Sequence, residues 1–322
     1  MNTTYQQGVP VLDYGDFAGG DSSRQNQFVA ALLDAYHEIG FVGVQNHGVA
    51  AETIDSLYSA AWDFSALPDA TKGAYHRPDL FGQRGYTPKG KEHAKGAKVG
   101  DLKEFFHVGQ ELDEARLGEL GYPANVWPSE VPQLQTSAVN LFRALEDLGH
   151  GMLDAIFVGL GIDPGHFSSD VREGNSILRI AHYFPIEDPS ALPSEAVRAA
   201  AHGDINLITL LVGASADGLE LQRRDGAWMP VNVESDTIVV NVGDMLERLT
   251  NGRLRSTIHR VVNPPPERCH EARLSMPFFM HPKASMDLSA LECCMDEEHP
   301  KQFEDITAGA FLQERLREIG LK

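Results

Sequence analysis

Apolar residues recur at helical spacing through the first half of the chain and at strand spacing through the second. Between Arg24 and Ile39 the positions Phe28, Leu32, Tyr36 and Ile39 lie three or four residues apart and form one stripe, ended by Gly40. The run Phe41-Val42-Gly43-Val44-Gln45 reads as a strand, closed by Asn46-His47-Gly48. Ala51 to Phe64 predicts a second helix, and about Val131 to Leu160 a long one that stops at Gly161. From Ile177 onward the apolar segments shorten and are punctuated by Gly, Pro, Asn and Asp, which predicts a series of short strands. Leu219 to Gln222 and Trp228 to Val231 flank Asp225-Gly226, the signature of a hairpin. Ala308 to Ile319 predicts a terminal helix. Pattern alone gives a mixed α/β chain, helical first and β later.

Three short stretches in the β half carry chemistry. His202-Gly203-Asp204 precedes an apolar run, Ile205 to Val212, that is expected to be a buried strand. On a strand, side chains two apart leave the same face, so one metal ion would meet both the imidazole and the carboxylate. His259, 57 residues later, would complete a two-His-one-carboxylate set. Such a set leaves coordination positions open, as in non-haem Fe(II) oxygenases. Arg273-Leu274-Ser275 opens a second strand-like run, bent by Pro277, and its guanidinium and hydroxyl suit a carboxylate. Chance placement alone gives about two His-x-Asp/Glu matches in a chain of this composition, so the weight rests on the three stretches together.

These residues resemble the Fe(II)/2-oxoglutarate-dependent oxygenases, in the branch similar to isopenicillin N synthase. That pattern is H-x-D, a distal H and R-x-S, met here by His202/Asp204, His259 and Arg273/Ser275. The similarity runs on through Asn241-Val242-Gly243-Asp244 and Thr250-Asn251-Gly252, and in the first half through Val9-Pro10-Val11-Leu12-Asp13 and Gly40 to Val49. Where the family often has Asn-x-Tyr, this chain has Ala181-His182-Tyr183. The resemblance implies a double-stranded β-helix, or jelly-roll, core flanked by N-terminal helices, a long central helix and a C-terminal helix. It divides the chain at about 1–130 and 131–322, with a catalytic core near 176–282. It implies Fe(II) on His202, Asp204 and His259, and 2-oxoglutarate on Arg273, Ser275 and Tyr183. O2 would be consumed, a small molecule oxidised, by default hydroxylated, and succinate and CO2 released. Tyr86, Phe106, Asn206 and Phe279 are expected to line the substrate pocket.

Composition narrows the partners. The 46 acidic against 27 basic residues give a formal charge of −19, which repels phosphate backbones and argues against nucleic acid. The three cysteines, Cys269, Cys293 and Cys294, form no C-x-x-C, and neither a disulfide framework nor a structural zinc site is expected. With no basic start followed by an apolar core and no run long enough to span a bilayer, the expectation is a cytoplasmic protein off the membrane. Lys89, Lys91, Lys95, Lys98 and Lys103 crowd one glycine-rich segment, readable as a solvated loop or as a lid meeting an anionic substrate. Arg260 reads as structural. Two other functions fit the same residues: a ferrous oxidase that ignores 2-oxoglutarate, and a non-catalytic metal-binding jelly roll.

Overall fold

The computed structural model describes residues 8–91, 103–188, 197–213 and 218–318. β1 (Val11–Asp13) and α1 (Tyr14–Ala18) lead into α2 (Ser22–Glu38), whose first turn is capped by Asp21, its carboxylate accepting from the Ser23 and Arg24 N–H groups. Phe28, Val29, Leu32, Ala35 and Tyr36 form its buried face, the stripe expected from the spacing. β2 (Phe41–Gln45), α3 (Ala51–Ser65), α4 (Asp69–Gly73), β3 (Gly85–Thr87), β4 (Lys103–Val108) and α5 (Glu114–Leu120) follow. The long helix α6 (Gln133–Gly159) and the short α7 (Ser168–Val171) precede the β region. That region comprises β5 (Ile177–Tyr183), β6 (Ala199–His202), β7 (Ile208–Val212), β8 (Leu219–Gln222), β9 (Trp228–Pro230) and β10 (Ile238–Val242). After α8 (Asp244–Leu249) come β11 (His259–Val261), β12 (Arg273–Ser275), β13 (Pro277–Met280) and the terminal α9 (Ala308–Glu318).

Among the described residues, the large sheet runs β1-β2-β10-β7-β13-β5-β4-β3, with β12 also against β5, and the small sheet runs β6-β11-β8-β9. The two sheets pack on each other through Leu219, Leu221 and Met229 of the small one and Phe41 and Val239 of the large one. The outer face of the large sheet is covered by helices, and here sits the main core: Leu178, Leu210, Val240 and Phe278 lie against Leu141, Phe142, Leu145 and Met152 of α6. Phe278 and Phe142 meet edge to face with centroids 5.0 Å apart. Gly149 lets α6 come this close, since a Cβ there would collide with Met280 Sδ. The β8–β9 hairpin turns at Gly226, whose φ of +84° is a left-handed position that glycine adopts without steric cost.

Three sequence expectations are corrected. β6 ends at His202, so Asp204 lies beyond the strand and the two-residue alternation does not place it. The run from Ile205 becomes strand only at Ile208. The stretch from Arg273 to Met280 breaks at Met276 into two strands lying end to end along β5. The segment holding Lys95 and Lys98 lies outside the described residues. No helix among the described residues is long and apolar enough to cross a membrane.

Candidate metal centre

His202 and His259 are direct cross-strand partners on β6 and β11, and this register brings their rings to a centroid separation of 4.6 Å. Nδ1 of His202 faces the Ala200 carbonyl at 2.7 Å, and Nδ1 of His259 faces the Thr257 carbonyl at 3.0 Å. A carbonyl only accepts, so each Nδ1 carries the proton and each Nε2 keeps its lone pair. Asp204 Oδ1 stands 3.9 Å from His202 Nε2 and 3.8 Å from His259 Nε2. The three candidate ligand atoms fall within 4.8 Å of one another. Two imidazole lone pairs and one carboxylate oxygen converging on one point suit a divalent first-row metal such as iron.

Asp204 is brought there from the other sheet. Its Oδ2 accepts from Thr209 Oγ1 on β7 at 2.6 Å and from Asn241 Nδ2 on β10 at 2.8 Å, leaving Oδ1 toward the histidines. Its backbone carbonyl accepts from the Asp244 N–H at the start of α8. Burial alone would raise the Asp204 carboxyl; the neighbouring His259 and His202 and the Asn241 and Thr209 donors outweigh it and hold the pKa below the usual carboxylate range. The Phe41 ring packs nearly perpendicular to that of His259, with centroids 5.6 Å apart. Sequence reasoning missed Thr209, and nothing in a strand of Ile, Thr, Leu and Val marks one hydroxyl as a donor to a carboxylate.

Which side of the large sheet faces this centre follows from register. Thr209 pairs with Phe279, Phe279 with Ile177, Ala181 with Ser275 and Phe105, and Tyr183 with Arg273 and Lys103. Directly paired residues share a face, so Phe279, Ser275, Arg273, Tyr183, Phe105 and Lys103 all turn toward the triad side. The Arg273 guanidinium lies 5.1 Å from the Tyr183 ring centroid, and that of Arg198, just before β6, lies 5.6 Å from it. Thus Arg273, Ser275, Tyr183 and Phe279 share a face with the metal-ligand candidates.

Tyr86 and Phe106 do not. They pair with each other on the opposite face, edge-on to Phe64 of α3, and belong to the helix-covered core. Asn206 is fully enclosed and donates to the Ile208 carbonyl at 2.6 Å and to Thr209 Oγ1 at 3.1 Å, bracing the loop behind Asp204. The outer face also hides a charged cluster. Glu104 accepts from Lys72 Nζ at 2.8 Å and Tyr86 OH at 2.6 Å, and meets His182 Nδ1 at 2.9 Å. Burial pushes the Glu104 carboxyl up, but His182, Lys72 and Tyr86 together bring it below its ordinary value. This cluster fastens β4 to β5 and α4 from behind. Arg260, as expected, is spent on structure, paired with Glu220 at 2.7 Å and stacked 4.0 Å over Trp228.

Comparison with known proteins agrees with this layout. Residues 174–282 match the 2OG-Fe(II) oxygenase superfamily, and residues 9–130 match the N-terminal region of the non-haem dioxygenases described in morphine synthesis. A 2-oxoglutarate-Fe(II) type oxidoreductase, ppzD, from Metarhizium rileyi is 31% identical over 98% of this chain and 92% of its own length. A crystal structure of a 2OG-Fe(II) oxygenase family protein from Caulobacter crescentus superposes with a TM-score of 0.88 at 40% identity, covering 97% of this chain and 99% of that one. A full-length Neurospora crassa protein, solved in complex with alpha-KG and thymine, gives 0.84 at 28% identity, covering 96% of each chain.

Proposed function

Because this chain belongs to the 2OG-Fe(II) oxygenase superfamily, and is an oxidoreductase using Fe(II), 2-oxoglutarate and O2, we propose that His202, Asp204 and His259 hold its iron and that Arg273, Ser275 and Tyr183 hold 2-oxoglutarate. The observation that carries the reading is the meeting of two Nε2 lone pairs and one oriented carboxylate oxygen beside a face bearing Arg273 and Ser275. Bound Fe(II) supplies O2 activation coupled to oxidative decarboxylation of 2-oxoglutarate to succinate and CO2. The chain's own residues bind and orient. The Ala200 and Thr257 carbonyls fix the two imidazole tautomers, and Thr209 and Asn241 fix the carboxylate. Arg273 presents a planar fork to the far carboxylate of the diacid, with the Ser275 hydroxyl two residues on. The Tyr183 ring flanks that guanidinium. The inter-sheet cluster of Leu219, Leu221, Phe41 and Val239 packs the two sheets together on the Phe41 side of His259. The substrate is a small molecule, and hydroxylation is the outcome we assign.

The decisive assay is O2 consumption and succinate formation by the Fe(II)-loaded protein with and without 2-oxoglutarate. Oxygen uptake that ignores 2-oxoglutarate would overturn this reading in favour of a ferrous oxidase. Thr209→Val keeps shape and removes one donor from Asp204, and loss of such an outer contact lowers metal affinity by roughly tenfold or more. An anaerobic Fe(II) titration of that variant checks it.

A further inference from the structure

Cys293 and Cys294 are adjacent, and their sulfurs lie 4.0 Å apart. They sit on a single 3-10 turn, Glu292–Cys294, whose three residues per turn would send successive side chains about 120° apart. Both sulfurs are instead turned toward one point. Cys293 is exposed and Cys294 buried. Both line a cavity of about 610 Å³ together with His37, Asn251, Arg253 and His299, and none of the candidate iron ligands belongs to its wall. The turn is firmly held. The Cys294 N–H donates to the Leu291 carbonyl and the Leu291 N–H to the Leu249 carbonyl, both at 2.9 Å. Asn251 Nδ2 donates to the carbonyls of Cys294 and Pro300 at 3.4 and 3.2 Å, and its Oδ1 accepts from the Gln302 N–H at 2.8 Å. Burial and the neighbouring Cys293 push the Cys294 thiol up, while the Arg253 guanidinium beside it works the other way.

We propose that Cys293 and Cys294 form a second metal site, separate from the iron centre, which binds one soft monovalent cation, copper(I), between their two sulfurs. Thiolate sulfur selects soft ions. A thiolate bond to a metal of this row is about 2.3 Å long, so two such bonds span the 4.0 Å gap with the ion between them. A disulfide between the same residues fits worse. Neighbouring Cα atoms are about 3.8 Å apart, below the usual range of roughly 4.4–6.8 Å for bridged cysteines. Among the described residues only His202, Asp204 and His259 bring three such ligand atoms together, so the thiol pair does not complete the four-coordinate shell of zinc. On binding, both S–H protons leave to solvent, two Cu–S bonds form, and copper stays monovalent. The bis-thiolate complex keeps a single net negative charge, and Arg253 is placed to offset it.

The test uses the full-length protein, reduced and kept anaerobic, titrated with copper(I) in competition with the chelator bicinchoninate. One copper(I) per chain is expected to leave the chelator, with a thiolate-to-copper charge-transfer band rising in the ultraviolet. Cys293→Ser and Cys294→Ser are each expected to weaken binding by at least about a hundredfold, since losing a ligand costs more than the roughly 10- to 100-fold of an outer contact. Cys269→Ser, whose thiol is buried against the Pro264 carbonyl, should bind copper(I) like the parent, and so should His202→Ala. Parent-like urea midpoints without copper show that the variants fold, and the exposed Cys293 position carries the test if the buried one does not. Copper(I) should raise the midpoint of the parent and leave that of Cys293→Ser where it was. No copper(I) drawn from the chelator, a complex untouched in Cys293→Ser, its loss in His202→Ala, or its displacement by equimolar zinc(II) overturns the proposal.

Discussion

His202→Ala, Asp204→Ala and His259→Ala are each expected to weaken Fe(II) binding by at least about a hundredfold and to abolish turnover. Loss of a hydrogen bond to a ligand already costs roughly 10- to 100-fold, and loss of the ligand itself costs more. The three variants differ in a second respect. Removing either imidazole vacates one position between a backbone carbonyl and the centre, and for His259 also a ring contact with Phe41. Removing Asp204 also takes the best acceptor from the buried Thr209 hydroxyl and Asn241 amide, which keep only the longer contacts to Asn206 Oδ1 at 3.3 Å and the Val242 carbonyl at 3.4 Å, and a hydrogen bond to a charged group contributes about 1.5–3 kcal/mol. The Asp204 variant should therefore unfold at lower urea concentration than the two histidine variants. Anaerobic metal titration and urea denaturation measure the two effects separately. Parent-like iron affinity in all three would show that the ion binds elsewhere.

Arg273→Leu is expected to weaken 2-oxoglutarate binding by roughly ten- to a hundredfold, because a hydrogen bond to a charged group contributes about 1.5–3 kcal/mol and 1.4 kcal/mol is a factor of ten. Iron affinity should stay close to the parent's, since Arg273 lies on β12 of the large sheet and is not among the converging ligand atoms. Arg273→Lys should recover part of the loss, keeping the charge without the fork. The charge-transfer absorbance of the anaerobic Fe(II)·2-oxoglutarate complex gives the Kd directly. An unchanged Kd in Arg273→Leu would remove the co-substrate from this site.

The four longer helices, α2, α3, α6 and α9, were legible because each shows an apolar stripe at helical spacing, whereas the short α1, α4, α5, α7 and α8 span too few turns to show one. The Phe28, Leu32, Tyr36 stripe and the long apolar repeat of α6 show the period of 3.6 in plain view. β4 was not legible as a strand: all six of its residues are buried, with helices behind and the inter-sheet space in front, so no polar alternation marks it. The same two-sided burial hid which neighbours face the centre. Phe105 and Phe106 are adjacent and alike in chemistry, yet one meets Arg179 and the other Phe64. A one-residue parity decides this, and parity is set by pairing with β5, more than seventy residues away. His202, Asp204 and His259 could be singled out by spacing and type, but the reason offered for the first two was incomplete. Asp204 is placed by donors from β7 and β10, not by strand alternation with His202.

The division of the ligand set between the two sheets reaches beyond chemistry. His202 and His259 ride on the small sheet, while Asp204 is fastened to the large one. On the proposed assignment, an ion gripping all three would be a clasp between the two sheets and would add stability by mass action, about 2.7 kcal/mol at a hundred times its Kd. Iron supply is therefore expected to set the durability of the folded chain as well as its turnover. A chelated sample should open more often at the seam between β6 and β7 and be cut there sooner by a protease.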